Sequence, residues 1–253
     1  MLYADDTICV SEDTKTMNLL LAAIEQEGLK YGLKLNKTKC ETLIMNGTAN
    51  VHFPDGTPVK QLPEVKYLGC YLNENADLTK EVKSKIADCM ATLKKLDKFW
   101  LHSSCPDSFK ISVQDAVIRS KLLYGLEPAE LKQPELNKLD GLQLKGLRKI
   151  LRLDTTFINR ANSNKQVFEI ANNQIKEDGY RNKQIRKFSE AYITSKLKCW
   201  QEVVSADDNN PIEEATYNPN TFEMWSYGIK RKGRPREGWF KATRLQYWEK
   251  VKG

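Results

Sequence analysis

Tyr3-Ala4-Asp5-Asp6 runs directly into Thr7-Ile8-Cys9-Val10. The second stretch consists of β-branched and apolar residues and predicts a strand. Two adjacent carboxylates would therefore stand where a turn enters that strand. Carboxylate oxygens are the ligands that Mg²⁺ prefers, together with substrate phosphates. The stretch predicts either a metal-binding turn or an ordinary polar turn before a strand.

The residues after this stretch predict one helix and a set of short strands. Asp13 or Thr14 is placed to cap the helix, and Gly28 and Gly32 bracket its end. The Pro54-Asp55-Gly56 turn signal separates two of the strands. The predicted elements are strands at 7–11, 41–45, 51–53, 57–60 and 65–72 and a helix at 13–32. Together they predict a small antiparallel sheet with one helix against it.

Three stretches of this region resemble, in order, sequence blocks of reverse transcriptases. Tyr3-Ala4-Asp5-Asp6 resembles the YxDD box, and residues 32–39 are similar to a Gly-Leu-x-x-Asn-x-x-Lys element. Residues 65–72 are similar to the primer grip with its Tyr-Leu-Gly core. The order and spacing resemble the enzymes of LINE-type (non-LTR) retrotransposons. The resemblance covers residues 1 to about 75 by motif and extends more loosely to about 153.

The resemblance implies a polymerase site that acts on an RNA template and a DNA primer. In the family, nucleotidyl transfer is an in-line reaction with two metal ions about 3.5–4 Å apart. By resemblance, Asp5 is the direct Mg²⁺ ligand and Asp6 is its close partner. Lys39 matches the lysine that approaches the incoming phosphates. Without the resemblance, Lys39 is equally explained as a solvated lysine at a strand edge.

By the same resemblance, Tyr67, Leu68 and Gly69 match the primer grip. A glycine at Gly69 allows a tight turn close to a backbone. From the residues alone, Tyr67 and Leu68 are equally explained as core side chains.

The resemblance also implies that parts of the family's catalytic site precede residue 1. These parts are an Asp on an earlier palm strand, the fingers and the nucleotide pocket. In the family the YxDD box lies at the tip of a β-hairpin, whose first strand would here be reduced to Met1 and Leu2. The chain is therefore expected to be the C-terminal part of the enzyme and to be inactive alone.

From Thr79 the apolar residues follow a helical period. Three amphipathic helices are predicted over 79–151, which in the family is the position of the thumb. The predicted fold class is α+β: a small antiparallel palm-remnant sheet with one helix, a helical thumb bundle and further helices. The predicted domains are a partial palm at 1–75, a thumb-like domain at 76–153, a helical basic region at 154–204, and a linker with a basic tail at 205–253.

A long basic helix is predicted over 175–204. Between Lys176 and Lys198 the basic residues exceed the acidic ones by about four. Lys183, Arg186 and Lys187 are candidates for a face that follows phosphates, and aromatic residues are interleaved with them. A solvated helix face with no ligand explains the same pattern.

A second basic stretch lies close to the C-terminus. Its basic residues flank a Gly-Arg-Pro core and are Lys230, Arg231, Lys232, Arg234 and Arg236. The stretch resembles an AT-hook, which would bind duplex DNA by inserting arginine into a narrow A·T minor groove. A plain basic linker is the alternative.

The composition limits the remaining classes of function. The 253 residues are 40% hydrophobic and 29% charged, with a net charge of +7, which favours an anionic partner. The six cysteines form no CxxC pair, so they predict reduced residues of an intracellular protein. No run approaches the length of a membrane span. The alternatives to an enzyme fragment are a non-catalytic nucleic-acid-binding protein and a decayed element relic.

Overall fold

The computed structural model describes residues 2–3, 6–45, 47–74, 78–177, 184–206, 218 and 239–252. The chain divides into two compact units, residues 1–77 and residues 78–253. Short strands occur in the first unit and long helices dominate the second. This arrangement confirms the predicted α+β fold class.

The strands of the first unit are shorter and more divided than predicted. Within the described residues they form three separate two-stranded ladders, of which β1–β2 and β5–β6 are antiparallel and β3–β4 is parallel, so the prediction of a single antiparallel sheet is wrong. Residues 51–53 form only an isolated bridge between His52 and Pro58. The elements are β1 Leu2–Tyr3, β2 Asp6–Thr7, α1 Thr14–Lys30, β3 Glu41–Thr42, β4 Lys60–Gln61, β5 Glu64–Tyr67 and β6 Cys70–Asn73.

Both ends of α1 are capped in the way the sequence predicted. The Asp13 carboxylate accepts the Thr16 N–H at 2.7 Å. At the other end Gly32 has φ 72, and the Leu33 N–H donates to the Gly28 carbonyl at 2.9 Å. This pattern is a Schellman motif, which needs a residue that tolerates positive φ. The positive φ that this motif needs after the end of α1 therefore explains why a glycine begins the 32–39 block.

The first unit has a small core. Its buried side chains are Val51, Phe53 and Val59, with Met17 and Leu21 of α1 packed against them. No residue of α1 is fully buried.

The second unit is mainly helical in its described part. Its elements are α2 Thr79–Lys95, α3 Asp97–His102, α4 Asp107–Gln114, a π-helical turn Asp115–Arg119, α5 Ser120–Leu123, α6 Gln133–Ile150, α7 Asn164–Glu177, α8 Phe188–Val204 and α9 Trp239–Lys252. The three helices predicted over 79–151 are present, but the first is interrupted at Leu96. Among the helices in the described ranges, none is both long and apolar enough to cross a membrane.

The single helix predicted over 175–204 is wrong. α7 ends at Glu177, and residues 184–187 are not helical. Side chains from distant residues satisfy the backbone of this link: Asn172 accepts the Ile185 N–H at 2.8 Å, and Gln143 accepts the Phe188 N–H at 2.9 Å. Helical periodicity contains no signal for such contacts.

A buried chain of amides connects three elements of the second unit. Gln114 of α4 donates to the Gln143 carbonyl at 2.9 Å, and the Gln143 side chain donates to the Arg186 carbonyl at 2.8 Å. Both glutamines are almost fully buried. Gly146 lies beside them, and a Cβ at this position would stand 2.4 Å from Gln114 Nε2. The absence of a side chain at Gly146 leaves space for the Gln114 amide.

We expect opposite effects from the same substitution at two glycines of α6. Gly146→Ala should lower the free energy of unfolding of the second unit by about 1–2 kcal/mol, because it displaces a buried, hydrogen-bonded amide. Gly141→Ala should raise it by up to about 1 kcal/mol, because a Cβ at Gly141 meets nothing within 4 Å and alanine favours helix. Urea unfolding followed by tryptophan fluorescence measures both. Equal effects at the two positions would contradict the close contact between Gly146 and the Gln114 side chain.

Candidate active site

The YxDD-like stretch lies on an antiparallel strand pair. Leu2 pairs with Thr7, and Tyr3 pairs with Asp6, so residues 4 and 5 connect the two strands. The first strand, β1, is two residues long. Ala4 and Asp5 lie outside the described residues, and the predicted metal-ligand role of Asp5 stays a prediction.

Asp6 is exposed, and no described basic side chain forms an ion pair with it. An exposed carboxylate at the end of a short strand pair has the donor chemistry that Mg²⁺ requires. Within the described ranges, no three His, Cys, Asp or Glu side chains cluster in a way that could hold a metal ion. The Mg²⁺ site expected at Asp5 and Asp6 therefore stays a prediction.

Lys39 lies in the turn before β3 and is exposed. Its backbone N–H donates to the Asn36 carbonyl at 3.0 Å, and no described acid pairs with its side chain. This placement leaves the ammonium group available to an anion.

Lys37, two residues earlier, has a structural role that the sequence did not reveal. Its Nζ lies 2.8 Å from Asp55 and 3.1 Å from Glu25 of α1. It also lies 5.1 Å from the centre of the Phe53 ring. Lys37 thus joins α1, the turn at Asp55 and the small core of the first unit. Its partners are 12 and 18 residues away along the chain, so local sequence patterns could not identify them.

The Lys37–Asp55 pair shifts the titration of both groups. The hydrogen bond from Lys37 lowers the pKa of Asp55 to about 2. The same bond raises the pKa of Lys37, although desolvation opposes this shift. An acid with a depressed pKa stabilises the folded state above its usual pKa, and the stabilisation is lost as the pH falls toward the depressed value.

The stretch that resembles the primer grip forms the turn of the β5–β6 hairpin. Tyr67 pairs with Cys70, and Leu68 and Gly69 between them have φ 46 and φ 82. Positive φ at both central residues indicates a type I′ turn. Glycine adopts this conformation freely, whereas at Leu68 it costs about 1–2 kcal/mol. Tyr67 and Leu68 are half-buried rather than core residues.

The predicted basic site residues are only partly within the described structure. Arg186 and Lys187 are exposed in the link before α8. Lys183 and the five residues Lys230, Arg231, Lys232, Arg234 and Arg236 lie outside the described residues. Lys196, which lies within the predicted basic helix, is buried and pairs with Glu130. It therefore contributes no surface charge.

A groove of about 550 Å³ lies beside this link, between α6 and α7. Its charged lining includes Asp140, Lys165, Glu169, Lys187 and Glu190. Because acids and bases are mixed, the groove shows no preference for an anion.

Comparison with known families gives one result, and it concerns the first unit. Residues 1–72 match the family model of the reverse transcriptase (RNA-dependent DNA polymerase). The match ends inside β6 and contains all three sequence blocks. It therefore confirms that these blocks resemble reverse transcriptases as a family. No curated protein and no solved structure matched the chain.

We expect the first unit to loosen in acid because of Asp55. As the pH falls from about 5 toward 2, opening of α1 should increase, since the pKa of Asp55 is depressed to about 2 and its stabilisation is lost in this range. The helix cap Asp13, whose pKa is lowered by its hydrogen bond with Thr16, adds to the same loss, so the part due to Asp55 is found by substitution. Hydrogen exchange of the Thr14–Lys30 amides, corrected for intrinsic rates, measures the opening. Asp55→Asn should weaken the pH dependence, whereas Glu12→Gln, at an exposed acid, should not. If the pH dependence of α1 opening is unchanged in Asp55→Asn, the Lys37–Asp55 pair is excluded as its cause.

Proposed function

We propose that residues 1–72 are the later part of the palm of a LINE-type (non-LTR) retrotransposon reverse transcriptase. On this proposal the chain is the C-terminal part of that enzyme, and the second unit stands in the position of the thumb. The family match of residues 1–72 carries the proposal. The antiparallel pairing of Tyr3 with Asp6 supports it, because it makes residues 4 and 5 the connection of a hairpin.

The proposed reaction is RNA-directed DNA synthesis, in which the primer hydroxyl attacks the incoming nucleotide and pyrophosphate leaves. Bound Mg²⁺ would neutralise the charge that develops on the transferred phosphoryl group. Asp5 and Asp6 would hold the metal, and Asp6 is exposed as this role requires. The exposed ammonium group of Lys39 would contact the incoming phosphates. The tight turn at Leu68–Gly69 would bring backbone close to the primer.

An additional carboxylate is required for two metal ions, because an Asp pair supplies only one side of the site. Within the described residues no acidic cluster provides it. On this proposal another polypeptide segment supplies the acid together with the fingers.

The chain alone should show no measurable primer extension. Loss of a metal ligand removes several kcal/mol of transition-state stabilisation, and each 1.36 kcal/mol is a factor of ten in rate. Extension of a DNA primer on an RNA template, with Mg²⁺ present, measures this. Template-dependent synthesis that disappears in Asp5→Asn would contradict the expectation, because this chain would then supply every ligand.

Supplying the missing palm and fingers in frame should produce Mg²⁺-dependent synthesis. In that enzyme Asp5→Asn should lower the rate by about 10³-fold or more. Lys39→Met should lower the rate without loosening α1, whereas Lys37→Met should loosen α1, because Lys37 holds two carboxylates of the first unit. Near-normal rates in Asp5→Asn would show that the motif is wrongly assigned.

A non-catalytic nucleic-acid-binding protein is the second candidate. The second unit has the larger core, and Arg186 and Lys187 are exposed on it. This candidate would be favoured if the chain binds nucleic acid and Asp5→Asn leaves that binding unchanged. The completed enzyme would then also show no synthesis.

We also propose that the basic stretch at 230–236 contacts duplex DNA. The structure restricts how this can be tested, because α9 follows the stretch and packs on α8. The rings of Trp200 and Tyr247 are 4.9 Å apart, and Thr243 is fully buried. Truncation before the stretch would remove these contacts together with the charges. Substitution is therefore the cleaner experiment.

Replacing Lys230, Arg231, Lys232, Arg234 and Arg236 by glutamine should reduce the salt dependence of duplex binding. Each phosphate contact adds about 0.9 to the slope of log K against log salt. If Arg234 enters the minor groove, the preference for A·T-rich over G·C-rich duplex should also disappear in Arg234→Gln. Titrations of both duplexes at two salt concentrations measure these effects. An unchanged slope would identify the stretch as a solvated linker.

A further inference from the structure

The loop between α6 and α7 presents two apolar side chains to solvent. Phe157 is 97% exposed and Ile158 is 71% exposed. Burying an aromatic ring normally contributes substantially to stability, and here the chain leaves the ring outside the core. We name residues 154–163 the Phe157 loop.

Hydrogen bonds within the Phe157 loop fix its backbone. The Thr155 carbonyl accepts the N–H groups of Ile158 at 3.0 Å and Asn159 at 2.9 Å. The buried Asn162 side chain donates to the Asp154 carbonyl at 3.0 Å and ties the two ends of the loop together. Because the loop is already ordered, little conformational entropy would be lost when the exposed ring binds a partner.

Three arginines lie in or next to this loop, and no described carboxylate neutralises them. Arg148 donates to the Asn162 carbonyl at 3.1 Å, and Arg152 donates to the Leu101 carbonyl at 3.0 Å. Both acceptors are uncharged. Arg160 is exposed at the end of the loop. Arg152 and Arg160 are exposed, so their positive charge is available to an external anion.

We infer that the Phe157 loop binds an unpaired nucleotide of a single-stranded nucleic acid, with Phe157 stacked on the base and Arg160 on a flanking phosphate. This inference rests on the proposed nucleic-acid function and adds a specific contact to it. Aromatic rings bordered by basic side chains are the usual means of binding single strands. From Arg148 to Lys165 the sequence contains five basic residues and one acid, Asp154, which favours a polyanion. Two apolar side chains are too small a surface for a stable protein interface.

The test compares two ligands with the full chain. One is a short single-stranded RNA of mixed sequence, and the other has the same backbone with abasic sites. Phe157→Ala should bind the RNA about tenfold more weakly, since stacking on one base contributes about that factor. Its affinity for the abasic strand should not change. Arg160→Gln should weaken binding of both strands and lower the salt slope by about 0.7.

Two further variants separate stacking from general effects. Phe157→Trp should retain affinity for the RNA, because indole also stacks. Phe109→Ala, at a half-exposed phenylalanine of α4, is the matched control and should bind as the unmodified chain does. All variants at Phe157 should keep the thermal midpoint, since the ring is almost fully exposed.

The outcomes distinguish this inference from the proposed function. If the unmodified chain binds neither strand, the stacking inference is overturned, whereas the palm assignment is still tested by synthesis in the completed enzyme. If it binds and Phe157→Ala binds equally well, or weakens the abasic strand to the same extent, only the stacking contact is overturned. If Phe157→Ala abolishes self-association in sedimentation and leaves RNA affinity unchanged, the loop is a protein contact and the inference is wrong.

Discussion

The hydrogen bonds of the Gln143 side-chain amide are the interactions on which the larger unit depends. This amide accepts the first N–H of α8 and donates to the Arg186 carbonyl, while the Gln143 backbone carbonyl accepts Gln114 of α4. A buried polar backbone group without a partner costs free energy, and the side chains of Gln143 and Asn172 satisfy such groups in the non-helical link at 184–187 and at the start of α8. In the smaller unit Lys37 has the corresponding role through its contacts with Glu25 and Asp55. Each unit is thus organised by one polar side chain that joins distant segments.

Local patterns predicted the features whose causes are local. The cap at Asp13, the positive φ at Gly32 and the tight turn at Gly69 each follow from one residue's own geometry. The contacts of Lys37 and Gln143, and the burial of Lys196 against Glu130, join residues far apart in the chain. Such contacts depend on the tertiary fold, and a periodic pattern cannot reveal them. Leu68 at positive φ also has no sequence signal, because the conformation is unfavourable for leucine.

The candidate site combines exposed side chains with structural contacts made by Lys37. Asp6 and Lys39 project from short elements of a unit with a small core, whereas the neighbouring Lys37 is fully engaged in holding that unit together. Lys37 makes the structural contacts, and Lys39, two residues later, therefore remains available to a ligand. The strained turn at Leu68 belongs to the same pattern, since unfavourable backbone conformations often occur where function requires them.

In the proposed function, the carboxylates of Asp5 and Asp6 would form the metal-binding point of the chain. Paramagnetic broadening by Mn²⁺, followed by NMR in the full chain, tests it without requiring activity. Substoichiometric Mn²⁺ should broaden the amide signals of residues 2–7 first, and Asp5→Asn combined with Asp6→Asn should remove this effect while leaving the signals of α6 unchanged. Broadening centred on the acids of the α6–α7 groove, or unchanged broadening in the double variant, would contradict the account.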